Sequence, residues 1–257
     1  MRDSITIIPI KGLPLLRSGD DLVGMILDSL YKVGSRVMDG DILVVGQKAV
    51  SKVEDRILTL NQVHASKRAS TIGKATGRNP KFVQLVLSGS KRVDRAGRDA
   101  LIVTTKQGFT CLNAGVDKSN VEGEETYALL PQNPDRSALQ IRKRLRRVTG
   151  KNVGVIICDT NSRPFRRGQV EHAIGIAGLE PLVDYRGGRD LFGYELKFKN
   201  VAVADELASA AELVMGQGTE MVPAALIKGV KRVKLKNATS ISPLVVTKRE
   251  DLFRGTL

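Results

Sequence analysis

A chain of 257 residues, 42% hydrophobic and 26% charged, suits one large domain or two small intimate ones of ordinary globular composition. The net charge of +14 favours anionic partners, yet only 4% of residues are aromatic and tryptophan is absent, which argues against a base-stacking nucleic-acid binder. No apolar stretch reaches membrane-spanning length, the opening MRDSITIIPIKG lacks a signal-peptide pattern, and Cys111 and Cys158 fit no zinc spacing. The expectation is a cytoplasmic protein with buried thiols and no membrane partner.

The chain opens with a predicted strand at 5–8, followed by a Gly/Pro loop at 11–16. Asp20 reads as the N-cap of a helix whose apolar face is Leu22, Met25, Ile26 and Leu30. Gly40 and Asp41 turn into a strand at 42–45, which runs into QKAVSK at 47–52. Asn79-Pro80 starts another helix, with Phe82, Leu85 and Val86 inward. Residues 101–105 and 109–112 read as paired strands, the second leading into Asn113 and Asp117. Asp135 is placed as the cap of a helix with Ala138, Ile141, Leu145 and Val148 on its apolar stripe, the cationic run 142–147 (RKRLRR) on its other face and Gly150 at its end. A buried strand at 153–157 stops at Asp159-Thr160-Asn161, with Arg163, Arg166 and Arg167 close behind. Residues 201–204 read as a strand, and Asp205 as the opening of a helix with Leu207, Ala210, Ala211 and Val214 inward, ending at Gly216. Strand pairs and helices alternate irregularly, so the pattern favours an α+β fold over a doubly wound sheet. The sequence shows no repeat or linker and reads as one catalytic unit over 1–257, built of one domain or two intimate subdomains, with a basic tail at 230–257.

Chemistry concentrates at strand ends. Two carboxylates from different strands, Asp117 and Asp159, can converge on one hard cation; each can equally cap a turn. Lys48, Lys52 and the arginines Arg163, Arg166 and Arg167 supply positive charge suited to phosphate. The glycines in MGQGT at 215–219 read either as a helix stop or as a loop that lets backbone approach a ligand. Neither GxxxxGK[ST] nor a strand-borne GxGxxG occurs, so a nucleotide would need another kind of loop. His64 and His172 are isolated and read as structural.

Seven segments in order resemble the coenzyme F420 γ-glutamyl ligases (F420-0:L-glutamate ligases). They are GLPLL at 12–16, GDILVV with QKAVSK at 40–52, GFTCLNAGVDKSNV at 108–121, CDTNSRPFRRGQ at 158–169, AIGIAGLEPLVDYRG at 173–187, DLFGYEL at 190–196 and VADELASAAELVMGQG at 203–218. The resemblance implies a mixed α+β fold, with mixed and antiparallel sheets, in a two-lobed subunit that forms an intertwined homodimer. It implies ligation of L-glutamate to the phospholactyl carboxylate of coenzyme F420-0, with GTP converted to GDP and phosphate. It also implies two divalent cations (magnesium or manganese) and a potassium ion. Carried over position by position, Asp117 and Asp159 correspond to ligands of one metal, Thr160 and Gln217 to ligands of a second. Leu13, Pro14, Leu15, Leu16, Gln47, Lys48, Lys52 and Asn120 correspond to GTP contacts. So do Met215, Gly216, Gln217, Gly218, Thr219, Glu220, Met221 and Val222. Asp117, Asp159 and Lys52 are the expected catalytic groups. Departures from the family pattern are Asp55 and Ser162 where glycine is common, Phe165 where tryptophan is common, and Gln217 where glutamate is frequent.

Two rivals remain at this level. One is a different acid–amine ligase on the same scaffold; the other is a nucleic-acid binder using the RKRLRR face, which would leave the aspartates and glycine loops unexplained. Tyr185 and Arg186 are guesses for glutamate selection.

Overall fold

The computed structural model describes residues 4–237, 239–247 and 249–251. The first elements are β1 (Thr6–Pro9), α1 (Leu22–Lys32), β2 (Ile42–Gly46), α2 (Gln47–Val53) and β3 (Ile57–Thr59). Next come α3 (Lys67–Thr76), α4 (Pro80–Gly89), β4 (Ser90–Ala96), β5 (Leu101–Thr105), β6 (Thr110–Leu112) and β7 (Thr126–Ala128). The chain continues with α5 (Pro134–Thr149), β8 (Gly154–Ser162), β9 (Gln169–Ala177), β10 (Val183–Asp184), β11 (Asn200–Val201), α6 (Val203–Met215) and β12 (Ala224–Lys228). Mixed sheets with helices packed on them make this an α+β fold.

The main sheet has the order β1-β12-β2-β8-β9. Its β2–β8 pair is parallel and the other neighbours are antiparallel. Residues 42–45 of β2, 155–158 of β8 and 224–227 of β12 are continuous buried apolar runs, as a sheet covered on both faces requires. One face packs α1 and α5 through Ile26, Leu30, Ile141 and Leu145 against Leu43, Val155 and Ile157. The opposite face packs α6 through Leu207, Ala208 and Ala211 against Val44, Ile156 and Ile176. A third core forms around Leu60, Val83, Val86, Leu101 and Val103, between α3, α4 and the small sheets β4-β5-β6 and β3-β7.

Several local expectations change in the fold. Asp21, not Asp20, caps α1 by accepting from the Gly24 amide; Asp20 instead accepts from the Arg17 amide and closes the turn before it. Asn133 caps α5, because Pro134 follows it at the first helical position, and Asp135 is thereby free for another task. Its carboxylate accepts from the amides of Ile176 and Ile241. Similarly, Asp205 lies in the first turn of α6, beyond the helix start, and accepts from the Ala173 amide. These two aspartates satisfy outward amides of β9, the edge strand, which would otherwise be open to pairing with another chain. The strand expected at 201–204 is limited to Asn200–Val201, since 203–204 already belong to α6. On α5, Val148 faces solvent, and Arg142 is not on the cationic face: its side chain is buried and donates to the Val153 carbonyl at 2.9 Å and to Asn152 Oδ1 at 2.6 Å. On α6, Ala208 and Met215 take the buried places expected for Ala210 and Val214, which are half-buried. Asp55 has φ 56°, in the left-handed region that favours glycine.

The tail at 230–257 lies partly outside the described residues, at 238, 248 and 252–257. Its described part returns along the sheet: Lys236 donates its amide to the Gly178 carbonyl and Thr239 Oγ1 accepts from the Gly178 amide. Among the described residues no helix is long and apolar enough to cross a membrane.

Gly175, in the Gly-rich segment of β9, serves packing. A Cβ there would lie 2.3 Å from the Pro134 carbonyl carbon, so the start of α5 can approach β9 only across a glycine. Gly175→Ala is expected to lower the unfolding free energy by about 1–3 kcal/mol, measured by denaturant titration.

Candidate active site

Strands β2 and β8 run parallel in the register Gly46↔Cys158, so the residues after Gly46 and Cys158 emerge side by side. After β2 the chain turns directly into α2 and presents Gln47, Lys48 and Lys52. The Gln47 side chain is buried and its Oε1 accepts from the Ser51 hydroxyl, which also bonds the Leu129 carbonyl at 2.7 Å. Strand β8 does not end at Asp159, as the polar residues suggest; it continues to Ser162, pairing Asp159 with His172 and Thr160 with Glu171 of β9. Asp159 and Thr160 are held by a ladder rather than by a turn.

Asp117 comes from the other side, after β6. Its backbone bridges Ala128 in both directions, and its carboxylate accepts from the Ser119 amide and hydroxyl, each at 2.8 Å. Lys48 Nζ lies 2.8 Å from Asp117 Oδ2. Asn120, with φ 54°, donates from Nδ2 to the Gly218 carbonyl at 3.0 Å and so ties the 117–120 loop to the loop after α6. In that loop Gly216 has φ 72°, and a Cβ on it would lie 2.4 Å from the Glu220 carboxyl carbon. Glu220 in turn accepts from the Gly218 amide at 2.7 Å.

These segments enclose a cavity of about 460 Å³, within the range of small-molecule sites. Every residue that the family resemblance matched to a nucleotide or metal contact lines it: Leu13 to Leu16, Gln47, Lys48 and Lys52, Asp117 and Asn120, Asp159 and Thr160, and the loop from Met215 to Val222. The arginines Arg163, Arg166 and Arg167 do not line it; they sit in the turn between β8 and β9. Arg186 pairs with Asp184 at 2.6 Å and is likewise not among its lining.

Two carboxylates that sequence reading passed over also reach this cavity, Glu171 of β9 and Glu212 of α6. Gln217 Nε2 stands 2.7 Å from Thr160 Oγ1, 3.0 Å from Glu171 Oε1 and 2.8 Å from Glu212 Oε1. The Thr160 hydroxyl also donates to Glu171. An amide nitrogen has two protons and faces three oxygens here. A hard cation would satisfy this oxygen set more fully. Similarly, the ammonium of Lys48 sits on Asp117 where a cation could bind. The sequence signal for Glu171 was its register opposite Thr160, which becomes visible only once β8 is known to continue past Asp159. Among the described residues no three His, Cys, Asp or Glu side chains alone form a metal-binding group; the donor set is mixed, with hydroxyl and amide oxygens.

The electrostatics reflect crowded carboxylates. Burial, then the charges of Glu171 and Asp117, push the Asp159 carboxyl up to about 8. Burial, together with Glu171 and Glu220, raises Glu212 against the hydrogen bond from Gln217. Burial also acts upward on Asp117, but its bonds from Lys48 and Ser119 prevail and hold it below the usual range. Burial and the neighbouring Lys48 lower Lys52. Cys111 is raised to about 12 by burial and then by Asp159, so it is an inert thiol, and burial raises Cys158 as well.

The F420-0:γ-glutamyl ligase family profile matches residues 11–229. A coenzyme F420:L-glutamate ligase of Methanothermobacter thermautotrophicus is 43% identical over 251 residues, covering 98% of this chain and 99% of that protein. The protein of the same name from Methanocaldococcus jannaschii is 42% identical over 95% of this chain and 94% of its own length. That of Archaeoglobus fulgidus is 41% identical over 98% of both. The chain belongs to the F420-0:γ-glutamyl ligase family.

A carboxyl whose pKa is raised by folding stabilises the fold in its protonated form. That contribution is complete below its ordinary value of 3.8 and is lost as the pH climbs through about 8. Without metal, Asp159→Asn is therefore expected to raise the thermal midpoint by several degrees at pH 9 and to change it little at pH 4, as read by calorimetry in chelator.

Proposed function

We propose that this protein joins L-glutamate to the phospholactyl carboxylate of coenzyme F420-0, with GTP converted to GDP and phosphate. The carrying observation is the single cavity in which Lys48, Lys52, Asp117 and Asp159 meet the glycine loop after α6. Membership of the family and the names of the relatives supply the substrate.

The chemistry must overcome the poor electrophilicity of a carboxylate. In this reading a carboxylate oxygen of the phospholactyl group attacks the γ-phosphorus of GTP, the bond to the β-phosphate oxygen breaks, and GDP leaves an acyl phosphate. The α-amino group of glutamate, having lost a proton, then attacks the acyl carbon; the amide bond forms and inorganic phosphate departs. Lys48 and Lys52 oppose the charge that builds on the phosphates. Gln47, fixed by Ser51, and Asn120, fixed on Gly218, orient the nucleotide. Loop 215–222 brings backbone close to it, which the left-handed Gly216 permits.

The oxygen sets fit divalent cations: Asp117 and Asp159 would hold one, and Thr160 with Gln217 a second, to which Glu171 and Glu212 add negative charge. Such ions supply charge neutralisation and geometry for the phosphates during transfer. With glutamate common at position 217 in relatives, the neutral Gln217 leaves Glu171 and Glu212 as the negative partners of that second ion. Potassium belongs to the same reading and is tested by the dependence of turnover on KCl against NaCl.

Replacing Asp159 with alanine is expected to reduce ligation by about 10²-fold or more and to weaken manganese binding, followed by mass spectrometry of the product and by calorimetry. A variant that still adds a glutamyl residue at the parent rate overturns the assignment. A product with another acceptor, and none with F420-0, would favour the different acid–amine ligase.

Self-association is part of this reading. The ribbon at 183–201 exposes Leu191 and Phe192 at 98% and 95%, together with Tyr194 and Phe198, an apolar patch suited to a second copy of the chain. Sedimentation should show a dimer, and Leu191→Asp with Phe192→Asp should shift it to monomer.

A further inference from the structure

A second, smaller cavity of about 170 Å³ lies on the other side of Asp159. Asp159 is the one residue that lines both cavities. The walls are β6, β9, the start of α6 and the returning tail, which contributes Ile241, Leu244 and Val245. That tail lies beyond residue 229, where the family match stops, and the nucleotide reading gives it no role. It is held in place: Asp135 accepts from the Ile241 amide, and Val245 packs against Gly108.

The polar lining is distinctive. Asp159 and Asp205 offer carboxylates, Asn161 an amide and His172 an imidazole; no lysine or arginine contributes. Buried His172 Nδ1 has no hydrogen-bond partner among the described residues, an arrangement that costs stability unless a ligand or water meets it. Lys48 and Lys52 line only the first cavity, where they stand among Asp117, Glu171 and Glu212; in the second no lysine or arginine competes for Asp205.

We propose that this second cavity is the binding site of the amine acceptor, an α-amino acid whose ammonium group is received by Asp205 beside Asp159. This rests on the ligase reading above and extends it with a place for the amine. An amine must reach the activated carboxyl carbon without crossing the nucleotide, and the second cavity adjoins the nucleotide cavity at Asp159. Its size is below the range of 300–1,000 Å³ typical of larger ligands and suits a molecule of amino-acid dimensions. Asp205 offers an acceptor for an α-ammonium group, and Asn161 and His172 offer N–H donors for carboxylate oxygens. The apolar residues Ile241, Leu244 and Val245 close the cavity toward solvent, so the tail serves as its outer wall.

Two variants test the site. Asp205→Asn keeps an acceptor for the Ala173 amide while removing the charge; Val245→Trp fills the cavity from the tail. Both are expected to raise KM for L-glutamate roughly tenfold or more, with KM for GTP and for F420-0 unchanged within about twofold. An unchanged KM for glutamate, or an equal rise for all three substrates, overturns the proposal. Equilibrium dialysis with radiolabelled L-glutamate separates this outcome from failure of the ligase reading. Should the parent protein not ligate, glutamate bound by the parent and lost in Val245→Trp still supports the site; no binding to the parent overturns it.

Discussion

The parallel pairing of β2 with β8 is the constraint on which the rest of this molecule depends. Residues 42–45 and 155–158 alternate between two hydrophobic cores, so slipping the register by one residue would send each side chain into the opposite core and disturb the packing of both. That register delivers Gln47 and Lys48 beside Asp159 and Thr160 at the same edge of the sheet. A parallel pair also needs a long crossover, and the intervening chain builds the third core, whose 117–120 loop comes back to face the two strand ends. The cavity is thus a consequence of connectivity: the elements that fill the crossover also supply its far wall.

Charge is distributed with unusual economy around that cavity. The chain is strongly basic overall, yet the base of the site is crowded with Asp117, Asp159, Glu171 and Glu212. Burial first, and then the neighbouring charges of Glu171 and Asp117, hold Asp159 far above its usual range. Lys48 on Asp117 and the Gln217 amide among three oxygens partly relieve this crowding. Basic residues remote from the site have structural partners instead: Arg142 holds the segment before β8, Arg144 pairs with Asp21, and Lys228 reaches Asp41. The basic excess is therefore not one surface, and the face expected from RKRLRR is interrupted at its first residue.

Edge protection ties the second cavity to the fold. Asp135 and Asp205 accept from amides of β9; Asp135 also anchors the tail at Ile241, and Asp205 ties the first turn of α6 to the strand. The same carboxylate that secures Ala173 lines the small cavity, so a structural cap and a binding group coincide in Asp205.

Much of this was legible in the amino-acid order. Buried strands at 42–45 and 153–157, the amphipathic α5 and α6, and the polar residues at strand ends all followed from local pattern, because apolar periodicity and turn chemistry are local properties. Segment order along the chain pointed to the family and to the residues of the large cavity. The misplaced caps at Asp135 and Asp205 share one cause: an aspartate near a helix start looks alike whether it caps that helix or binds a strand edge distant in sequence, whereas Asp20 closes a local turn one residue before the true cap. Glu171, Glu212 and the second cavity were invisible for a related reason. Glu171 matters because β8 continues past Asp159 and pairs it with Thr160, Glu212 because α6 crosses that face, and the tail because it folds back over β9. The sequence by itself determined which residues could do the chemistry; only the tertiary structure decided which of them meet, since convergence on a site depends on long-range register and packing that no local pattern encodes.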